Sequence, residues 1–267
     1  CRSGLLPKAE PETSAALTGF FQSEGIAIRG GLSYKEIRNT DTGVAFDVTE
    51  DGQDATIEAE QVLVTTGRRP NTDGLGLQEA GADLLANGGI KVDDRMRTTK
   101  ASIYAAGDVT GRDQFVYMAA YGAKLAARNA VAGEARSYDN STMPWVVFSD
   151  PQVAGVGLSE AQARAAGHEI LTSVLPLDAV PRALAARDTR GLIKLVAEAG
   201  SKRLLGAQIL APEGADSIQT AAMALKAGLT YEELGDTIMP YLTTVEGLKL
   251  AAQTFDKDVA KLSCCAG

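Results

Sequence analysis

Aromatic residues are scarce in this 267-residue chain, at 5%, with one tryptophan and one histidine. That scarcity disfavours a β-sandwich. Together with 28 glycines and plentiful alanine, it suits α/β structure with close helix–sheet packing. Cysteine is rarer still: the chain has three, Cys1, Cys264 and Cys265. They provide no disulfide framework, so a reducing cytoplasm is the expected compartment. The lone histidine lies in Ala166-Gly167-His168-Glu169 and reads as a surface turn residue without a catalytic role. No apolar run approaches the ~20 residues that a membrane-spanning helix needs. Positive charge is in deficit, with 26 Lys and Arg against 34 Asp and Glu and a net charge of -8. Nucleic acid is therefore not an expected partner, and neither is a membrane. The 45% hydrophobic content is ample for a core, and the length allows one large domain or two ordinary ones.

What stands out against this background is the end of the chain, Leu262-Ser263-Cys264-Cys265-Ala266-Gly267. Two soft sulfur donors on a terminal tail suit capture and hand-off of a soft metal ion. A bond between the two neighbours would close a strained small ring. Two other readings stand beside this one. The cysteines could be reduced and inert, or Cys264-Cys265-Ala266-Gly267 could serve as a C-terminal lipidation box. That box has no aliphatic middle residues, and no basic run precedes it to hold an anionic membrane.

Patterning predicts a helix from Pro11 to about Glu24, with Ala16, Leu17, Phe20 and Phe21 on one side and Gly25 as its stop. Extended segments are expected at Ile26–Arg29, Ser33–Asn39, Val44–Thr49 and Ala55–Glu58, with a hairpin turn at Asp51-Gly52. Gln61–Gly67 reads as a buried-type strand running into glycine, and Ala101–Asp108 as a strand ending in a small-residue turn. A small β segment is expected over Asp83–Asp93, and an alanine-rich helix over Phe115–Val131. The final third reads as βαβ-like. Its strands are expected near Trp145–Phe148, Val153–Gly157, Glu169–Pro176, Leu192–Ala197 and Leu204–Leu210. Its helices are expected near Ser159–Ala166, Gly214–Ala227, Tyr231–Gly235 and Val245–Phe255.

Two strand ends carry chemistry. Ligands of open α/β sheets bind beyond the carboxyl ends of strands, and small residues there let the backbone approach closely. Tyr104-Ala105-Ala106-Gly107-Asp108 offers such an end, with an Asp able to accept hydrogen bonds from sugar hydroxyls. Its plainer reading is a turn Asp that caps the next segment. Thr65-Thr66-Gly67-Arg68-Arg69-Pro70-Asn71, alone, signals only chain reversal.

Taken as a pair, these elements resemble the pyridine nucleotide-disulfide oxidoreductase family. Asp150-Pro151-Gln152-Val153-Ala154-Gly155-Val156-Gly157 resembles the start of that family's interface domain. Met239–Glu246 falls where the family's active-site segment lies. The resemblance covers nearly the whole chain in the right order. It implies an α/β protein in three parts: residues 1–69 as the end of a nicotinamide-binding domain, 70–143 as the returning part of an FAD-binding domain, and 144–267 as an α+β interface domain. The family's disulfide reductases carry a His at the position of Tyr241, as the acid for a leaving thiolate. Reducing Hg(II) to the metal needs no such proton. Tyr241-Leu242-Thr243-Thr244-Val245-Glu246 and the Cys264-Cys265 tail thus resemble the branch of the family that reduces Hg(II).

That branch implies NADPH and FAD as cofactors, Hg(II)–thiol complexes as substrate, and a homodimer in which each tail completes the partner's site. Tyr241, Glu246, Cys264 and Cys265 would be the catalytic residues, with the two cysteines binding the metal. Gly67, Gly107, Asp108 and the backbone near Val116 would face FAD. Arg2 would accommodate the 2′-phosphate of NADP. Several family features are missing: the Gly-x-Gly-x-x-Gly turn for the flavin pyrophosphate, the Cys-x-x-x-x-Cys redox pair and the second Gly-rich turn for the nicotinamide cofactor. Cys1-Arg2-Ser3-Gly4 reads as the interior of a longer chain, so an N-terminal part is expected to be missing and the activity to belong to the full protein. Two alternatives follow from the same residues: a disulfide reductase of the lipoamide dehydrogenase type, and a metal-binding dimerisation module without catalysis.

Overall fold

The structure, a computed structural model, describes residues 4–259. Arg2, Cys264 and Cys265 lie outside the described residues. The chain forms two compact units, one from residues 1–61 and 141–267, the other from residues 62–140.

The first unit is built on a five-stranded sheet. Its strands are β4 (Trp145–Val147), β5 (Gln152–Gly157), β6 (Ile170–Pro176), β7 (Leu192–Glu198) and β8 (Leu204–Ala211), in the order β4-β5-β8-β7-β6. A separate three-stranded meander precedes it, with β1 (Ser33–Asn39), β2 (Val44–Glu50) and β3 (Gln53–Ala59). The β2–β3 turn is Asp51-Gly52, with both residues at positive φ (49° and 80°), the backbone that a two-residue hairpin requires.

Every neighbouring pair in the larger sheet is antiparallel. The βαβ-like expectation is therefore corrected. Helices do separate some strands in sequence: α3 (Glu160–Ala165) lies between β5 and β6, and α4 (Pro181–Ala186) between β6 and β7. These helices are six residues each, about 9 Å of helix, too short to carry the chain back along the sheet for a parallel return.

Strand alternation gives the sheet two apolar faces. On one, Ala154, Ile193, Leu195, Ala207 and Ile209 pack against α5 (Gly214–Ala227), α6 (Tyr231–Asp236) and α7 (Glu246–Gln253). On the other, Val153, Leu192 and Leu210 pack against Leu17 of α1 (Pro11–Ser23), with Phe20, Phe21 and Trp145 at the margin. Pro11 stands at the start of α1, where its missing N–H costs nothing. The apolar side expected of this helix is the side it buries.

The second unit centres on α2 (Val116–Val131), whose Leu125 and Ala126 pack with Met96 beside Val92, Tyr104, Ala106 and Tyr138. Four sequence expectations fail or are met only in part, here and just before it. Ile26–Arg29 is not a strand, and neither is Gln61–Gly67. Ala101–Asp108 and Asp83–Asp93 hold only isolated bridges, Arg97 with Tyr104, Leu84 with Ile90 and Val92 with Thr98. The apolar run Val62-Leu63-Val64 is exposed, Leu63 by 86%. A strand exists only through its ladder, and no described strand lies beside this run to supply donors and acceptors. No helix among the described residues is long and apolar enough to cross a membrane.

Leu17 is the test of how α1 docks. Leu17→Ala should lower the unfolding free energy by about 2–5 kcal/mol, the range for a buried leucine truncated in a packed core. Urea unfolding of the chain would measure it. A change below ~0.5 kcal/mol would show that α1 does not cover the sheet, since only surface substitutions cost so little.

Candidate functional site

Two places bring the sequence-predicted residues together, one in each unit. In the second unit, Gly107 takes φ 82°, ψ -161°, a backbone region essentially restricted to glycine. A Cβ at this position would sit 3.0 Å from the Ala119 Cβ, so the chain passes directly against the first turns of α2. Gly122, further along α2, leaves room for ordinary contact, since a Cβ there would lie 3.5 Å from that of Ala106. Asp108 opens a short 3₁₀ turn to Thr110, closed by the Thr110 hydroxyl donating to the Gly107 carbonyl at 2.8 Å. The Asp108 carboxylate is exposed and has no side-chain partner among the described residues.

Gly67 is held in the same region. It has φ 120°, and the neighbouring Arg68 donates from Nη1 to the Gln114 carbonyl at 2.7 Å, just ahead of α2. Helix α2 starts at Val116 with no side-chain cap and no acidic residue in its first turn. Val116 itself is 84% exposed. An uncapped start of a 16-residue helix carries partial positive charge and unsatisfied N–H groups, which favour electron-rich ligands. Asp113, just before the helix, accepts from the Tyr138 hydroxyl at 3.1 Å and the Asn140 amide at 2.8 Å. Burial, reinforced by the Asp113 charge, raises the Tyr138 phenol above the ordinary tyrosine range, so it stays a hydrogen-bond donor. Gly107 thus lies against the first turns of α2, and Arg68, next to Gly67, reaches the residue two before the start of that helix.

In the first unit, Glu246 is buried at 4% exposure and begins α7. Its Oε2 accepts from the Leu242 N–H at 3.2 Å, while its own N–H donates to Thr243 Oγ1 at 3.3 Å. The Thr243 hydroxyl in turn donates to the Pro240 carbonyl at 2.8 Å. Leu242 takes φ 59°. These bonds fold Tyr241-Leu242-Thr243-Thr244 back onto the helix start and leave Tyr241 58% exposed. Gly247 presses the segment onto the sheet, where a Cβ would meet Ile193 Cδ1 at 2.6 Å. The structure thus brings Tyr241 and Glu246 together on one rigid turn. Cys264 and Cys265, expected to join them, lie outside the described residues. Among the described residues no group of His, Cys, Asp and Glu converges as a metal site. His168 sits after the α3 turn with Nδ1 3.0 Å from Glu198 Oε1, a half-buried pair consistent with a structural residue.

Sequence reasoning missed one cluster. Lys194 lies inside the apolar strand β7, 1% exposed, and its ammonium donates to Glu10 Oε2 at 3.1 Å, Glu12 Oε1 at 2.9 Å and Glu160 Oε2 at 2.8 Å. A lysine in the middle of Leu192-Ile193-Lys194-Leu195-Val196 was the available signal. A buried charge there requires a partner.

Comparison with known proteins covers the whole chain. The family model described as pyridine nucleotide-disulphide oxidoreductase matches residues 1–127, and that of the family's dimerisation domain matches residues 143–252. The chain is 48% identical over 263 residues to a mercuric reductase of Bacillus cereus, covering 98% of this chain and 42% of the relative. It is 48% identical over 266 residues to a mercuric reductase of Acidithiobacillus ferrooxidans, covering all of this chain and 48% of the relative. Among solved structures, the Cu(II) complex of the HOCl-induced flavoprotein disulfide reductase RclA from Escherichia coli superposes with a TM-score of 0.85 at 29% identity, over 95% of this chain and 57% of that one. The chain thus spans about half the length of the curated relatives it matches.

The Glu246 turn can be tested on its own. Glu246→Ala removes the acceptor of the Leu242 N–H and should cost about 1 kcal/mol of local stability, as for a typical single hydrogen bond. Hydrogen exchange at the Leu242 amide should accelerate by about fivefold on that basis. An unchanged exchange rate would mean that the carboxylate does not hold the Tyr241 turn.

Proposed function

Because the chain belongs to the pyridine nucleotide-disulphide oxidoreductase family, we propose that the whole protein is an NADPH-dependent flavoenzyme that reduces Hg(II) to the metal. The observation that carries this reading is the Tyr241–Glu246 turn. It presents an exposed phenol, a poor acid at neutral pH, where a disulfide reductase needs a proton donor for a leaving thiolate. The mercuric reductases among the relatives support the same substrate. We assign residues 1–69 to the end of the nicotinamide-binding domain, 70–143 to the returning part of the flavin domain and 144–267 to the interface domain of a homodimer.

The second-unit surface fits FAD. The unpartnered Asp108 carboxylate suits sugar hydroxyls, the glycine backbone at Gly107 leaves room for close approach, and the uncapped start of α2 at Val116 suits electron-rich ring atoms. When bound, FAD would supply the electron relay between NADPH and the metal-reducing thiols. In this reading Arg2 recognises the 2′-phosphate of NADPH. Tyr241 donates a hydrogen bond to a thiolate at the metal site or ligates Hg(II) weakly. Cys264 and Cys265 take Hg(II) from its thiol complexes as thiolates and pass it inward by ligand exchange, so the ion is never released.

Three experiments on the full-length protein test these assignments. Asp108→Ala should lower flavin content on purification by about tenfold, the loss of about one charge-assisted hydrogen bond. Full flavin retention would detach Asp108 from the cofactor. The wild type should oxidise NADPH in response to Hg(II) and not in response to lipoamide or glutathione disulfide. With Cys264→Ala and Cys265→Ala together, turnover should fall most for Hg(II) bound to bulky thiols, which cannot reach an inner site unaided. Wild-type rates with every Hg(II)–thiol complex would remove the delivery role of the tail. Turnover with a disulfide instead would favour the disulfide-reductase alternative.

A further inference from the structure

We propose that the second unit carries a binding site for a small anion with two linked phosphate groups, in the cleft that Lys124, Arg128 and Arg136 form between α2 and the segment after it. The proposal stands apart from the catalytic reading and uses none of the residues assigned to flavin, nucleotide or metal.

The cleft begins with the spacing of α2. Tyr121, Lys124, Leu125 and Arg128 lie three and four residues apart, so they share one side of the helix. Leu125 is buried in the core of the unit, while Tyr121, Lys124 and Arg128 stay exposed. Asn129, the next residue round, is buried and ties the returning chain to the helix. Its Nδ2 donates to the Arg136 carbonyl at 2.9 Å and to the Arg95 carbonyl at 3.0 Å, and its Oδ1 accepts from the Arg136 N–H at 3.0 Å. Further along, the Tyr138 N–H donates to the Asp94 carbonyl at 2.7 Å, and the Asp139 N–H to the Tyr121 hydroxyl at 3.1 Å. The chain from Arg136 to Asp139 is thus fastened at both ends. Beside it remains a cleft of about 390 Å³, closed in by the four side chains of that helix face, Arg136 and Ser137. Its volume lies within the range of small-molecule sites, and its walls are anchored backbone.

Charge selects the ligand. The chain carries a net charge of -8, yet three cations gather here. Helix α2 has no acidic residue. Lys124 and Arg128 are four apart, an arrangement that costs a helix stability when the charges are alike, and neither has a carboxylate partner among the described residues. The helix dipole accounts for Arg128 in the last turn, and leaves Lys124, a turn earlier, without a reason. Glu134 pairs with Arg136 Nε and leaves the other guanidinium N–H groups to be used. The Tyr121 hydroxyl accepts from Asp139 and keeps its own proton to donate. Guanidinium forks match phosphate oxygens bidentately, and an ammonium adds a point charge. Two of the cations stand on the helix wall and the third on the returning chain. An anion that satisfies both walls needs oxygens at two ends, which a diphosphate has.

The test uses the full-length protein as purified, with inorganic pyrophosphate as the probe. Calorimetric titration at low salt should give saturable binding with a Kd below about 1 mM, weakening as salt is raised. Orthophosphate should bind about tenfold more weakly. Lys124→Gln together with Arg128→Gln should weaken pyrophosphate binding by at least about tenfold, the scale of one lost charge-assisted hydrogen bond. Arg182→Gln together with Lys226→Gln, exposed positions of the other unit that change the net charge equally, should leave it unaltered. Hydrogen exchange locates the site: the Arg136 and Asp139 amides should slow about tenfold at pyrophosphate ten times its Kd, and the double variant in α2 should lose that protection. ADP that binds more tightly than pyrophosphate would make a nucleoside diphosphate the ligand, and equal affinity a free diphosphate; both support the site. Binding that survives the double variant in α2 would belong elsewhere, such as a nicotinamide-nucleotide site, and would overturn the proposal. No saturable binding to the wild type, as when the rest of the protein covers this face, would overturn it too. Equal loss in the control variant would reduce the effect to net charge, with the same consequence.

Discussion

One buried ammonium organises the face of the sheet that α1 covers. Desolvation works against the charge of Lys194, but the hydrogen bonds it donates to Glu160, Glu12 and Glu10 outweigh it and hold the amine well above the ordinary lysine range. The cation is therefore permanent at any physiological pH. Its three carboxylates come from Glu10 and Glu12 at the start of α1 and from Glu160 at the start of α3. Sequence separations of 184 and 34 residues collapse onto one nitrogen. Removing that nitrogen would leave Glu10 buried and unpaired, which is the expensive way to break such a cluster.

The sheet then divides its duties by strand alternation. Even-numbered positions of β7, Leu192 and Lys194, face α1; odd-numbered Ile193 and Leu195 face the helices of the other layer. Close approach on both faces depends on missing side chains. The Trp145 ring lies across Gly155 so tightly that a Cβ would fall 2.4 Å from it, and Gly247 admits Ile193 in the same way. Tight contact on both faces leaves a five-stranded sheet with little room to shift, and a turn anchored on it inherits that rigidity.

Much of this was legible in the chain. The apolar spacing of Ala16, Leu17, Phe20 and Phe21 specified α1 and its buried side. The strands around Leu192–Ala197 and Leu204–Leu210 and the helix Gly214–Ala227 also stand where the pattern put them. Strand direction was not legible, because a period of two says which face a residue occupies and nothing about which way its neighbour runs. Val62-Leu63-Val64 read as a strand for a related reason. Hydrophobicity marks a segment that can pair, whereas pairing also needs a second strand within hydrogen-bonding reach. The candidate site followed the same division. Gly107, Asp108, Tyr241 and Glu246 became candidates through motifs and the family resemblance, which are read from short stretches of chain. Lys194 was passed over because its meaning lies in three residues that no local pattern connects to it.

On the proposed reading, the Tyr241 turn is where this scaffold meets chemistry. Glu246 is buried, yet it accepts a hydrogen bond from the turn it follows and gives its own N–H to Thr243. The carboxylate thus spends its acceptor capacity on shaping backbone and leaves the outward-facing role to Tyr241. An imidazole in that place would exchange protons near neutral pH; a phenol retains its proton and offers a hydrogen bond without acid catalysis. For a disulfide substrate that exchange would be a loss, since the departing thiolate would go unprotonated. For a thiophilic metal ion it is none, because the ion leaves one thiolate for another and the proton balance stays with bulk solvent. On the proposed reading, the turn, the helix start that follows it and a non-acidic side chain would serve a soft ion passing between thiolates better than the opening of a disulfide.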